Sequence, residues 1–87
     1  MIHERTFPVF PGHFDDRPLV PGAALLAWVQ ACVPGLLHLD RVRFSAPVVP
    51  GELVSLAVTL DGDAVTFEVY GSDKVRMRGS GRRATST

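Results

Sequence analysis

Gly12-His13-Phe14-Asp15-Asp16-Arg17-Pro18-Leu19-Val20-Pro21-Gly22 runs straight into Ala23-Ala24-Leu25-Leu26-Ala27-Trp28-Val29-Gln30-Ala31-Cys32-Val33, and Pro34-Gly35 closes the run. The first part, with its prolines, glycines and paired aspartates, has the composition of irregular backbone pinned by Pro18 and Pro21. The second predicts a helix over 23–33, about 16 Å long, opened by Pro21-Gly22 and stopped by Pro34-Gly35. Gln30 alone interrupts its apolar surface, so no polar stripe marks a solvent side and the helix should be covered on most of its faces. In a chain of 87 residues the expected cover is a wrapping sheet plus a partner subunit.

Outward from the helix, the periodicity changes to that of strands. Upstream, Arg5 to Phe10 reads as a short extended piece whose Pro8, followed by Pro11, suits an edge or an exit. Downstream, alternation begins at Leu39 and continues to Phe44, without a cleanly apolar face. Leu53–Leu60 and Ala64–Tyr70 flank Asp61-Gly62-Asp63, a hairpin signal because Gly accepts the positive φ of tight turns. Gly71-Ser72-Asp73 makes a second turn, and 74–78 alternates Val75 and Met77 with basic residues, as a strand with one exposed face does. From Gly79 on, the chain offers little to bury. Residues 1–78 are therefore expected to form the domain and 79–87 a flexible C-terminal tail. The fold class expected is α+β, an antiparallel sheet curled around one central apolar helix. No internal repeat is visible.

Composition narrows the function. Nine basic and nine acidic residues cancel, leaving no global field to draw nucleic acid or an anionic membrane. The cluster Arg76, Arg78, Arg82 and Arg83 reads as a solvated strand edge and tail, or as a surface that greets an acidic carrier protein. Cys32 is the one cysteine, which excludes an internal disulfide, argues against a Cys-based zinc site and fits a reducing compartment. The uncharged stretch 19–39 is too interrupted for a membrane span, and the N-terminus lacks an apolar core of signal-peptide length; a cytoplasmic location is expected.

Chemistry concentrates where loop meets helix. The first N–H groups of a helix have no intrahelical partners and sit at the positive end of its dipole. A thioester carbonyl docked on the Gly22 N–H would carry more acidic α-protons, because the same donor stabilises the enolate. His13 is the candidate base, since an imidazole titrating at about 6.5 is largely neutral near pH 7. The plainer alternative for His13 is a loop residue bonding backbone carbonyls. Phe14 either lines a binding site or packs beneath the loop. Trp28 and Cys32, four apart on one helix face, read as packing rather than as a cofactor box or nucleophile. His3 and His38 read as surface residues.

Gly12-His13-Phe14-x-x-x-Pro18-x-x-Pro21-Gly22 before an apolar helix resembles the signature of FabZ-type 3-hydroxyacyl-acyl-carrier-protein dehydratases. Phe44-x-x-Pro47-Val48-x-Pro50-Gly51-Glu52 matches that family's second motif in the right order, and Pro18-Leu19-Val20-Pro21-Gly22 with Trp28-Val29 is most similar to the dehydratases of aryl-polyene pathways. The resemblance implies a hot-dog fold, here N-terminally shortened because only eleven residues precede Gly12. It implies dimers or multiples of dimers with the acyl chain in a tunnel between subunits. It also implies acyl carrier protein as the partner bearing the substrate, and no metal or organic cofactor. His13 takes the catalytic position, while Phe14, Pro21 and Gly22 take substrate-binding positions.

One residue departs from the pattern. In the family a Glu or Asp fourteen positions after the histidine, reaching in from the other subunit, helps the β-hydroxyl leave; here that position is Ala27. General acid–base catalysis contributes about 10²–10⁴-fold, so a site without its acid would be crippled as a dehydratase. Asp15 and Asp16 are poor substitutes on the same loop, and Gln30 stands one position short of the family's helix glutamine. Three functions follow. The chain is a 3-hydroxyacyl-carrier-protein dehydratase or its descendant; a non-catalytic acyl-binding subunit whose hetero-oligomer partner supplies an acid; or, less favoured, a thioesterase.

Overall fold

Val54, Leu56 and Val58 alternate with Ser55, Ala57 and Thr59, and that period of two puts three branched side chains on one face of a strand. Val65, Phe67 and Val69 do the same seven to eleven residues later. The computed structural model, which describes residues 1–10 and 19–84, makes these the two central strands, β3 (Val54–Asp61) and β4 (Ala64–Tyr70). They join antiparallel at a turn where Gly62 takes φ 60°. β1 (Ile2–Arg5) adds to the outer side of β3, β5 (Val75–Ala84) pairs with β4, and β2 (Leu36–Phe44) pairs with β5. The order across the sheet is β1-β3-β4-β5-β2, antiparallel throughout.

The register lines up apolar rows on the inner face. Leu56, Val69, Met77 and Phe44 form one row, and Val58, Phe67, Gly79 and Val42 the next. Helix α1 (Gly22–Cys32) lays Leu25, Trp28 and Val29 into this core. Phe7 stands edge-on to Trp28, with ring centroids 5.6 Å apart. The rest of the helix is less covered than its composition suggests, since Ala23, Ala27 and Ala31 all face outward in this single chain.

The strand at the C-terminal end corrects the expected tail. Gly79 to Ala84 do not leave the domain at Arg78; they continue β5 and pair on both sides, with β2 and with β4. The glycines that suggest a flexible tail are there because neighbouring strands come too close for a side chain. A Cβ on Gly79 would lie 2.5 Å from Cζ of Phe67 and 2.6 Å from the carbonyl oxygen of Arg41. A Cβ on Gly81 would run into the His38 carbonyl, next to the point where β2 bulges at Asp40. Residues 85–87 lie outside those described. Strand β2 also begins three residues earlier than Leu39, directly after the Pro34-Gly35 stop, and the N-terminal strand is Ile2–Arg5, ahead of the extended piece expected from Arg5 to Phe10.

Candidate functional site at the start of the helix

Pro21 occupies the position before the first helical turn, with φ −60° and ψ 143°, and having no polar side chain it leaves the turn uncapped. Its carbonyl accepts from the N–H groups of Ala24 and Leu25. The N–H groups of Gly22 and Ala23, at the positive end of the helix, have no partner among the described residues. Gly22 is a glycine for a steric reason as well. A Cβ there would sit 2.9 Å from Cζ of Phe44, whose ring lies over the start of the helix.

Phe44 is 53% exposed despite its size, and it walls one side of an open cleft of about 290 Å³ lined by Val20, Gly22, Leu25 and residues 44–48. Val20 is tied to the opposite wall by its N–H, which donates to the Val48 carbonyl at 2.8 Å. The apolar side chains of Val20, Leu25, Phe44, Pro47 and Val48 share the lining about equally with polar surface, and Gly22 is part of it. Such a cleft suits a small apolar group whose carbonyl can reach a donor.

Of the sequence-predicted site residues, Gly22 lines this cleft and Pro21 precedes it as the residue that starts α1. His13 and Phe14 lie outside the described residues. Ala27 is five residues further along α1, about 7.5 Å along the axis, and is exposed. Gln30 fastens the end of α1 to β2, its side-chain amide donating to the Gly35 carbonyl at 3.0 Å and accepting from the Leu37 N–H at 2.9 Å. Burial pushes the Cys32 thiol above its ordinary value of 9.0, with the charge of Arg5 opposing that shift, so it is a thiol rather than a thiolate near neutral pH. His38 is exposed. His3 departs from the expected surface position, being half-buried, with Nε2 shielded and unpartnered among the described residues.

Arg76 is the residue whose place the alternation misjudges. The pairing of β4 with β5 slips between Tyr70–Val75 and Val69–Met77, leaving Arg76 as an extra, bulged residue. Instead of facing water beside Arg78, it is 8% exposed and reaches into the loop 45–53. The "Pro-Gly-Glu" end of the second motif held a signal for it, since Glu52 on a tight turn beside the core calls for a cation. No group of three or more His, Cys, Asp or Glu suited to a metal ion occurs among the described residues. No helix among them is long and apolar enough to cross a membrane.

Among the described residues, one helix laid against a five-stranded antiparallel sheet makes a hot-dog fold, seen also in solved structures. The dehydratase heterocomplex ApeI:P from Xenorhabdus doucetiae superposes with a TM-score of 0.80 at 23% identity, over 93% of this chain and 83% of that one. An uncharacterized protein from Erwinia carotovora gives 0.78 at 22% identity, over 97% and 82%. The sequence profile of the ApeI-like family, described as ApeI dehydratase, matches residues 2–82. The chain belongs to the ApeI-like family. Among curated relatives, 3-hydroxyacyl-[acyl-carrier-protein] dehydratase FabZ of Verminephrobacter eiseniae is 38% identical over 62% of this chain, and that of Klebsiella pneumoniae 36% over 62%. The matched part is 47% and 46% of those two proteins, so the chain spans about half the length of the curated relatives it matches.

Proposed function

We propose that this chain supplies the histidine side of a 3-hydroxyacyl thioester dehydratase site, completed by an acid from a second subunit. The carrying observation is the start of α1, where the Gly22 and Ala23 amides, unpaired among the described residues, stand beside the cleft walled by Val20, Leu25 and Phe44, while the family's acid position, Ala27, faces outward with no carboxylate. The thioester carbonyl accepts from the Gly22 N–H. His13 removes a proton from Cα, and the electrons form the Cα–Cβ double bond. The Cβ–O bond breaks, and the hydroxyl takes a proton from the partner's acid and leaves as water, giving the enoyl thioester.

The assembly this requires fits the sheet. Among the described residues β2 pairs with β5 on one side only, and Leu36 and Leu39 stand exposed along it, so its other edge can take another chain. A solved relative is a dehydratase heterocomplex, and a hetero-oligomer is the assembly we favour here over a homodimer or higher homo-oligomer. The curated relatives act on substrates held by acyl carrier protein, and the same carrier is the partner proposed for this chain.

The test is hydration of an enoyl thioester, followed by loss of the enoyl absorbance. The native chain alone should be inactive, Ala27→Glu should gain activity as a homo-oligomer, and His13→Ala in that background should abolish the gain. Full activity of the native chain by itself would overturn the divided site. Ala27 also favours a second reading, a subunit that binds acyl groups without turning them over. Inactivity in every combination of subunits, with acyl binding retained, would select that reading.

A further inference from the structure

We infer that Arg76 is the positioning residue of the thioester cleft, the group that fixes the distance between the 45–52 loop and the amide of Gly22. The inference rests on the reading of that cleft as the thioester site. Arg76 is the only charged side chain buried among the described residues, and almost every bond it makes goes to this one loop. Its carbonyl, released from the ladder where β2 ends at Phe44, accepts from the N–H groups of Ser45 at 2.9 Å and Ala46 at 3.3 Å. Nη1 donates to the Pro47 carbonyl at 2.7 Å and to Glu52 Oε2 at 3.4 Å. Nη2 lies 2.6 Å from Glu52 Oε1, an ion pair whose angles fall short of a hydrogen bond, and donates to Asp73 Oδ1 at 2.8 Å. One bulged residue thus holds residues 45, 46, 47 and 52, which bracket the wall of the cleft, and braces them against the β4–β5 turn.

The chemistry of the clamp argues for placement over stability. A guanidinium stays charged at any physiological pH, and burying an ion pair recovers little over an apolar pair of the same volume. What the fork supplies is direction, because two planar donors fix a carbonyl and a carboxylate at once. The backbone makes room for it: a Cβ on Gly71 would lie 2.6 Å from Nη2 of Arg76 and 2.7 Å from Oε1 of Glu52. Opposite the clamp, Val48 holds Val20 and the Phe44 ring lies on Gly22, so a shift of this loop is passed directly to the start of α1.

The test pairs Arg76→Met with Glu52→Leu, which removes both charges and keeps apolar volume, and uses Arg76→Lys as the variant that keeps the charge but loses the fork. Two quantities are read on folded protein with a cooperative unfolding transition. One is amide exchange at Ser45, Ala46, Val49 and Gly51 relative to β3 and β4. The other is the Kd for a 3-hydroxyacyl pantetheine amide, an inert isostere of the thioester. The double variant should exchange about tenfold faster at the loop alone and bind the amide about tenfold more weakly, with Arg76→Lys between it and the native chain. Unchanged loop exchange in the folded double variant overturns the inference whatever the ligand does. Faster loop exchange with an unchanged Kd overturns it as well, leaving Arg76 a purely structural brace. A native chain that does not bind the amide at all defeats the site reading itself, and the role assigned to Arg76 falls with it.

Discussion

Ala27 and Trp28 are neighbours on α1 with opposite surroundings. Trp28 is buried against Phe7, with the guanidinium of Arg5 4.0 Å above the Phe7 ring, whereas Ala27 looks outward. Trp28→Ala should therefore cost about 3–5 kcal/mol in urea unfolding, the range for deleting a buried aromatic. Ala27→Glu should change stability by no more than about 0.5 kcal/mol, as surface substitutions do. A large loss from Ala27→Glu would mean that packing, and not function, excludes the acid. Asp73 carries a pH signature. Loss of solvation raises its carboxyl pKa, but hydrogen bonds from Arg76 and the backbone, with the charges of Arg76 and Lys74, outweigh that and hold it below its ordinary 3.8. With the native value lowered, its contribution is present at neutral pH and fades as pH falls below 3.8 through the native value. Asp73→Asn should flatten that acid limb in stability measured against pH, and an unchanged limb would show that the pair does nothing in solution.

Strand β5 is the element where sequence and structure part. Helix α1 and the β3–β4 hairpin were legible because their signals are local: an apolar run between Pro-Gly pairs, and alternation around Asp61-Gly62-Asp63. The reason that Gly79-Ser80-Gly81 is a strand lies elsewhere in the chain, in the Phe67 ring crossing Gly79 and the β2 carbonyl at Gly81. Only the assembled sheet reveals those contacts. The bulge at Arg76 was hidden in the same way, since it depends on how β5 pairs with β4. Of the candidate site, Pro21-Gly22 and the motif at 44–52 pointed to the segments that bound the cleft, but the contacts of Arg76 to that loop were not legible. A chain ending after Arg78 should lose cooperative unfolding, because β2 and β4 would each lose most of their pairing with β5, while one ending after Ala84 should unfold like the full chain. Equal stability of the two would restore the tail. Gly79→Val should be destabilised by about 1–3 kcal/mol, the usual cost of overpacking, read from the urea midpoint.

Across the whole molecule the charges cancel, but they are not evenly spread. The register places His38, Arg41 and Arg43 of β2 beside Arg78, Ser80 and Arg82 of β5 on the outer face of the sheet. Glu68 pairs with Arg78 and Asp40 with Arg82, whereas Arg41 and Arg43 have no ion-pair partner among the described residues. If the proposed carrier docks there, Arg41→Glu with Arg43→Glu should weaken its binding about tenfold or more and reduce the salt dependence, as loss of complementary surface charge does. Equal affinity would move the carrier elsewhere. The outer edge of β2 and the outward Ala27 both point to a second chain. The central claim, a histidine here and an acid there, is tested most directly by half-site complementation. This chain is mixed with a dehydratase subunit that keeps its helix acid but carries Ala in place of its own histidine, and enoyl-thioester hydration is measured. Turnover is expected from the mixture, none from either chain alone, and none when this chain carries His13→Ala; a mixture that forms the complex yet stays inactive would contradict the divided site.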